Sequence, residues 1–63
     1  MGFYVGQPVR ILSYIGEELN DDRIGVIEKI DGGYIDIRLN KSKALVERYP
    51  NEITELWEVD DEN

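Results

Sequence analysis

The sequence predicts an all-β fold, five short antiparallel strands closed into one small barrel, and three observations carry that expectation. Apolar residues recur at every second position through most of the chain, the period of a strand with one buried face. Asp31-Gly32-Gly33 lies between two such runs and can supply the positive φ angles of a tight hairpin turn. No segment keeps the period of about 3.6 residues that an amphipathic helix needs.

The clearest strand runs from Tyr34 to Leu39, with Ile35, Ile37 and Leu39 on one face and Tyr34, Asp36 and Arg38 on the other. Its hairpin partner is Ile24 to Ile30, whose β-branched residues favour extended backbone. Upstream, Pro8 to Tyr14 reads as the first strand, with Pro8 leading it where a missing N–H does no harm. Ile15 to Arg23 forms a long polar loop. Downstream come a short basic loop, Asn40 to Lys43, and a short strand, Ala44 to Glu47. Tyr49-Pro50-Asn51-Glu52 predicts a single 3₁₀ turn, because Pro50 would stop a helix and has no N–H for a ladder. Thr54 to Val59 is the last strand. Residues 1–59 are expected to make one domain, and residues 60–63 an acidic tail that frays.

Composition narrows the chemistry. With 63 residues there is room for one small domain, and with no Cys and no His there is no disulfide, no usual zinc site and no histidine base. A non-enzymatic protein without cofactor or metal is expected. No apolar run approaches the ~20 residues that span a membrane, and Met1 to Gly6 has no basic, apolar leader, so the chain is read as cytoplasmic. Fourteen acids against seven bases give a net charge of −7, a field that repels phosphate. The charge is polarised: Arg38 to Arg48 holds four bases and one acid, and the remaining residues hold three bases and thirteen acids.

Gly6-Gln7-Pro8-Val9-Arg10-Ile11, then Ile24-Gly25-Val26-Ile27 with Ile30 following, then Ile35-Asp36-Ile37, resembles the opening of KOW-type and related SH3-like barrels. The ending, a 3₁₀ turn followed by Thr54-Glu55-Leu56, is similar to that of electron-transport accessory barrels such as a peripheral subunit of photosystem I. The resemblance covers Gly6 to Val59. It implies a five-stranded SH3-like barrel with a 3₁₀ turn before the last strand and Leu56 in the core, which leaves Trp57 largely exposed or lying along a neighbouring strand. Gly6 and Gly25 would sit where a strand bends or two chains approach closely.

Aromatic and basic residues are the candidates for a working surface. Trp57, Tyr49, Pro50, Tyr14 and Arg48 are assigned to a protein partner, because Trp, Tyr and Arg dominate interface hot spots. For Tyr14 and Tyr49 the competing reading is structural: rings buried at the barrel ends, hydroxyls wet. Proline-rich peptides need an aromatic groove. The turn at Tyr49-Pro50 is similar to part of one, but the Ala-Leu-Tyr-Asp-Tyr run and the paired Trp of SH3 domains are absent. Arg38, Lys41 and Lys43 are the candidate nucleic-acid contacts, opposed by the acidic field; their alternative role is to keep an edge strand soluble. Glu17, Glu18, Asp21 and Asp22 lack EF-hand spacing and read as a solvated loop.

Three functions follow. The first is an interaction module, monomer or weak dimer, that binds a protein partner or docks on a larger assembly, its acidic body steering it to a basic surface. The second is a phage-type acidic inhibitor that mimics nucleic acid, which requires carboxylates along one stripe. The third is a KOW-like RNA- or ribosome-associated barrel, which requires salt-dependent binding through Lys41 and Lys43.

Overall fold

Gly32 and Gly33 form the two-residue turn between β2 (Ile24–Asp31) and β3 (Tyr34–Leu39), with Gly32 at φ +60° and Asp31 paired with Tyr34. The computed structural model describes residues 2–56. Around this hairpin lie β1 (Pro8–Ile11), β4 (Leu45–Arg48), a 3₁₀ turn (Pro50–Glu52) and β5 (Ile53–Glu55). All neighbours pair antiparallel in the order β4-β3-β2-β1-β5, so the fold is all-β with the 3₁₀ turn directly before its last strand. No helix among the described residues is long and apolar enough to cross a membrane.

A bulge explains the spacing of apolar residues in β2. Ile27 pairs with Ile37, but Lys29 pairs with Asp36 and Ile30 with Ile35, which leaves Glu28 as the extra residue. Strict alternation from Ile27 would put Lys29 inward. The bulge returns Lys29 to the outer face and sets Ile30, still 41% exposed, opposite Ile35.

Val9, Ile11, Ile15, Ile27, Ile35, Ile37, Leu39 and Ile53 form the core, with Phe3, Leu19, Ala44 and Val46 packed against it. Burying these side chains is the main stabilising term in a domain without cross-links.

The expected barrel does not close. β4 and β5 are the two edges of an open sheet. Closure would need a ladder between them, and the chain joining them is consumed by its own turn: Tyr49 N–H donates to Glu52 Oε1 (2.8 Å) and Glu52 N–H to Tyr49 O (2.9 Å). β5 then pairs with β1 through Val9–Glu55, Arg10–Thr54 and Ile11–Ile53.

Other boundaries move for local reasons. β1 stops at Ile11 rather than Tyr14: past it Leu12 N–H still donates to the Glu52 carbonyl (2.8 Å), but the next carbonyls are taken by side chains. Arg23 Nη1 donates to the carbonyls of Ile11 (2.9 Å) and Ser13 (2.8 Å), and Arg48 Nη2 donates to that of Tyr14 (3.0 Å). Leu56 was expected in the core. It is half-buried and lies outside the core cluster, where Ile53 supplies the apolar side chain of β5. Gly6 meets no neighbour; its φ of +93°, not a close approach, requires glycine. Trp57 to Val59 of the expected last strand, and the 60–63 tail, lie outside the described residues.

Candidate functional site

Register brings two tyrosines together. Ile35 pairs with Arg48, so Tyr34 at the start of β3 faces Tyr49 just after β4, on the outer side of the sheet. Their rings stack with centroids 4.8 Å apart and planes 26° from parallel, and their hydroxyls lie 3.1 Å apart. Tyr34 remains 44% and Tyr49 49% exposed, so this aromatic surface is presented to solvent. The hydrogen bond with Tyr49 pushes the Tyr34 phenol above its ordinary pKa, with repulsion from Tyr49 and Glu47 and partial desolvation adding to it.

Arg48 ties this corner to the loop after β1. Its Nε donates to Ser13 Oγ (3.0 Å), its Nη2 to the Tyr14 carbonyl and its Nη1 to the Glu47 carbonyl (2.7 Å). Among the sequence candidates the structure thus links Arg48 to the Tyr14 carbonyl on the Ile35 side of the sheet, while Tyr49 meets Tyr34, which was not a candidate, on the outer side. The buried-ring reading of Tyr14 and Tyr49 is overturned: Tyr14 is 73% exposed, and neither ring enters the core. Trp57, the fifth partner-binding candidate, lies outside the described residues.

The basic candidates sit elsewhere. Arg38 is four residues along β3 from Tyr34, about 13 Å away at strand rise. Its guanidinium is already engaged: Nε and Nη2 donate to Glu28 Oε2 (3.0 Å) and Oε1 (3.1 Å), and Nη1 donates to the Lys43 carbonyl (3.0 Å). This bidentate pair pulls the Glu28 carboxyl below its ordinary range and raises Arg38 further. Lys43 Nζ donates to the Asn40 carbonyl (2.8 Å), and among the described residues the Lys41 ammonium approaches Asp21 at 4.0 Å. Lys41 also lines an open cleft of about 330 Å³ with Arg10, Asn20, Asp21, Ile24 and Asn40.

No family model, curated protein or solved structure matches the chain. The site therefore rests on its own geometry.

Asp22 departs from the solvated-loop expectation. It is only 4% exposed, and its Oδ1 and Oδ2 accept the backbone N–H groups of Lys41 (3.0 Å) and Ser42 (2.7 Å). One carboxylate thus fastens the basic loop to the loop after β1. Burial pushes its pKa up, but the backbone N–H bonds from Lys41 and Ser42, the Ser42 hydroxyl and the Lys41 charge together hold it below its ordinary 3.8. A lowered folded-state pKa means that the unfolded chain binds its proton first. The stabilisation is complete above pH 3.8 and drains away as pH falls from there through the lowered value. Asp22→Ala is expected to lower Tm by about 5–10 °C at neutral pH, two backbone donors having lost their acceptor. Thermal melts should show the gap to wild type narrowing in acid.

Beside the tyrosine pair the register sets two carboxylates directly opposite each other, Asp36 on β3 and Glu47 on β4. Like charges so placed are destabilising. Glu47→Lys converts the pair to an attractive one, and its Tm is expected to rise by about 2–5 °C at low salt, less at high salt, in thermal melts followed by circular dichroism.

Proposed function

We propose that this chain is a non-enzymatic interaction module, an open variant of the SH3-like barrel, that binds a protein partner through Tyr34 and Tyr49 with Pro50 beside them, Arg48 and Tyr14 bracing the corner from behind. The observation that carries the reading is the exposed Tyr34–Tyr49 stack. Rigid aromatic side chains add contact area at little entropic cost, and these two stand on a strand and against an arginine-braced corner rather than on a free loop. The strand order, the pairing of β1 with β5 and the 3₁₀ turn before β5 support the SH3-like assignment. An RNA-binding role draws less support, because Arg38 and Lys43 spend donors within the domain.

The test is affinity capture from native lysate with wild type and a Tyr34→Ser/Tyr49→Ser variant of comparable Tm. A protein held by wild type and lost with the variant supports the proposal. A partner bound equally by both, or RNA captured with no protein, overturns it.

A further inference from the structure

We infer that the partner presents a basic segment, arginine or lysine side chains, to the outer face of β3 and β4. This rests on the reading that the tyrosine corner is the docking surface, and it names the chemistry that surface selects.

Register supplies the geometry. Tyr34–Tyr49 and Asp36–Glu47 are successive cross-strand rows on one face, about 7 Å apart along the strands. Asp36 and Glu47 oppose each other with no hydrogen bond or ion pair to either carboxylate among the described residues. The bases nearest in register are directed elsewhere. Lys29, which pairs with Asp36, has its ammonium 4.0 Å from Asp31, and Arg38 is committed to Glu28.

Two carboxylates with open acceptors therefore lie one cross-strand row from two half-exposed tyrosines. A guanidinium or ammonium satisfies both at once, held against a tyrosine ring within about 6 Å of its centroid while its donors reach the carboxylates. Arginine fits best, because its planar fork stacks and hydrogen-bonds together. A phosphate or an acidic surface would be repelled here, and a neutral peptide would bury both carboxylates without partners. The net charge of −7 speeds the approach of the same class of partner.

The probe is a labelled poly-arginine peptide, titrated against the whole chain at about 0.15 M salt, where long-range attraction is screened beyond roughly 8 Å. Asp36→Asn/Glu47→Gln is compared with Glu17→Gln/Glu18→Gln, which removes the same charge from exposed loop positions. Expected are a weakening of about tenfold or more for the first pair, about twofold or less for the second, and shifts of the Tyr34 and Tyr49 ring resonances on binding. Equal weakening by both pairs, or unmoved tyrosine resonances, would mean that only the overall field attracts the peptide, and would overturn the inference.

Its failure is separable from that of the proposed function. A lysate partner lost with the tyrosine variant but indifferent to Asp36→Asn/Glu47→Gln removes this inference and leaves the docking surface. Peptide binding as described, with no lysate partner at the tyrosines, supports the inference and removes the proposed partner.

Discussion

Replacing Gly25 with alanine is expected to leave the chain largely unfolded. Gly25 is buried in the central strand, paired with Val9 on one side and Leu39 on the other. A Cβ there would stand 2.8 Å from Cγ2 of Ile37 and closer still to the Arg38 carbonyl oxygen. Neither neighbour yields easily. Ile37 is fully buried, and Arg38 is held in the β2–β3 ladder, so relief must come from separating the strands. Overpacking against backbone costs about 3 kcal/mol or more. A domain of this length holds about 3–9 kcal/mol in total. The expected result is a Tm lowered by about 15 °C or more, or no cooperative melt at all. Gly33→Ala is the control, because no atom lies within 4 Å of a Cβ built there; its Tm should stay within about 3 °C of wild type. A Gly25→Ala protein that melts with wild type would show that β2 does not run this close to β3.

How much of the fold could be read beforehand follows from which residues carry local signals. Tyr34 to Leu39 was legible because a period of two over six residues has one strand reading, and all three of its inward residues are buried. Gly32-Gly33 was legible because few dipeptides close a two-residue hairpin. Pro50 marked its turn by the N–H it lacks. The bulge at Glu28 was not legible. Ile27 and Ile30, three apart, fit equally a helical turn or a strand with one residue inserted, and only the partner strand decides. The open edge was hidden for a similar reason: whether β4 and β5 meet depends on the path of a four-residue connection, not on the pattern within either strand.

The site divides along the same line. Tyr14, Arg48, Tyr49 and Pro50 could be named from residue type, and the fold links two of them directly, Arg48 to the Tyr14 carbonyl. Tyr34 was missed as a site residue although its outward placement was legible. Pairing it with Tyr49 needs the β3–β4 register, which sets residues fifteen apart against each other. Asp22 was missed for a stronger reason. Its partners are backbone amides nineteen and twenty residues away, and an amide has no residue type to announce it. Four acids in a polar loop look alike until one of them is buried.

Ile37→Ala is expected to reach the working surface from the opposite side of the sheet. Ile37 is fully buried and paired with Ile27 and Val46, so its side chain holds β3 between its two neighbours. Truncation removes three methyl or methylene groups from a small core and should cost about 3–4 kcal/mol, comparable with the whole stability of a domain at the lower end of its range. Ile37→Val removes one methylene and should cost about 1 kcal/mol. The tyrosine stack responds in proportion, because nothing in the outer face alone fixes Tyr34 against Tyr49; the register that aligns them is enforced by burial of Ile35 and Ile37 beneath. The valine variant should keep partner binding within about twofold at 25 °C, and the alanine variant should lose most of it as its melt begins near that temperature. Amide exchange across β3 and β4, measured on both variants, reads the link directly. If the alanine variant binds like wild type while its β3–β4 amides exchange freely, the tyrosine pair does not need the ladder, and the site would have to be rebuilt from loop residues alone.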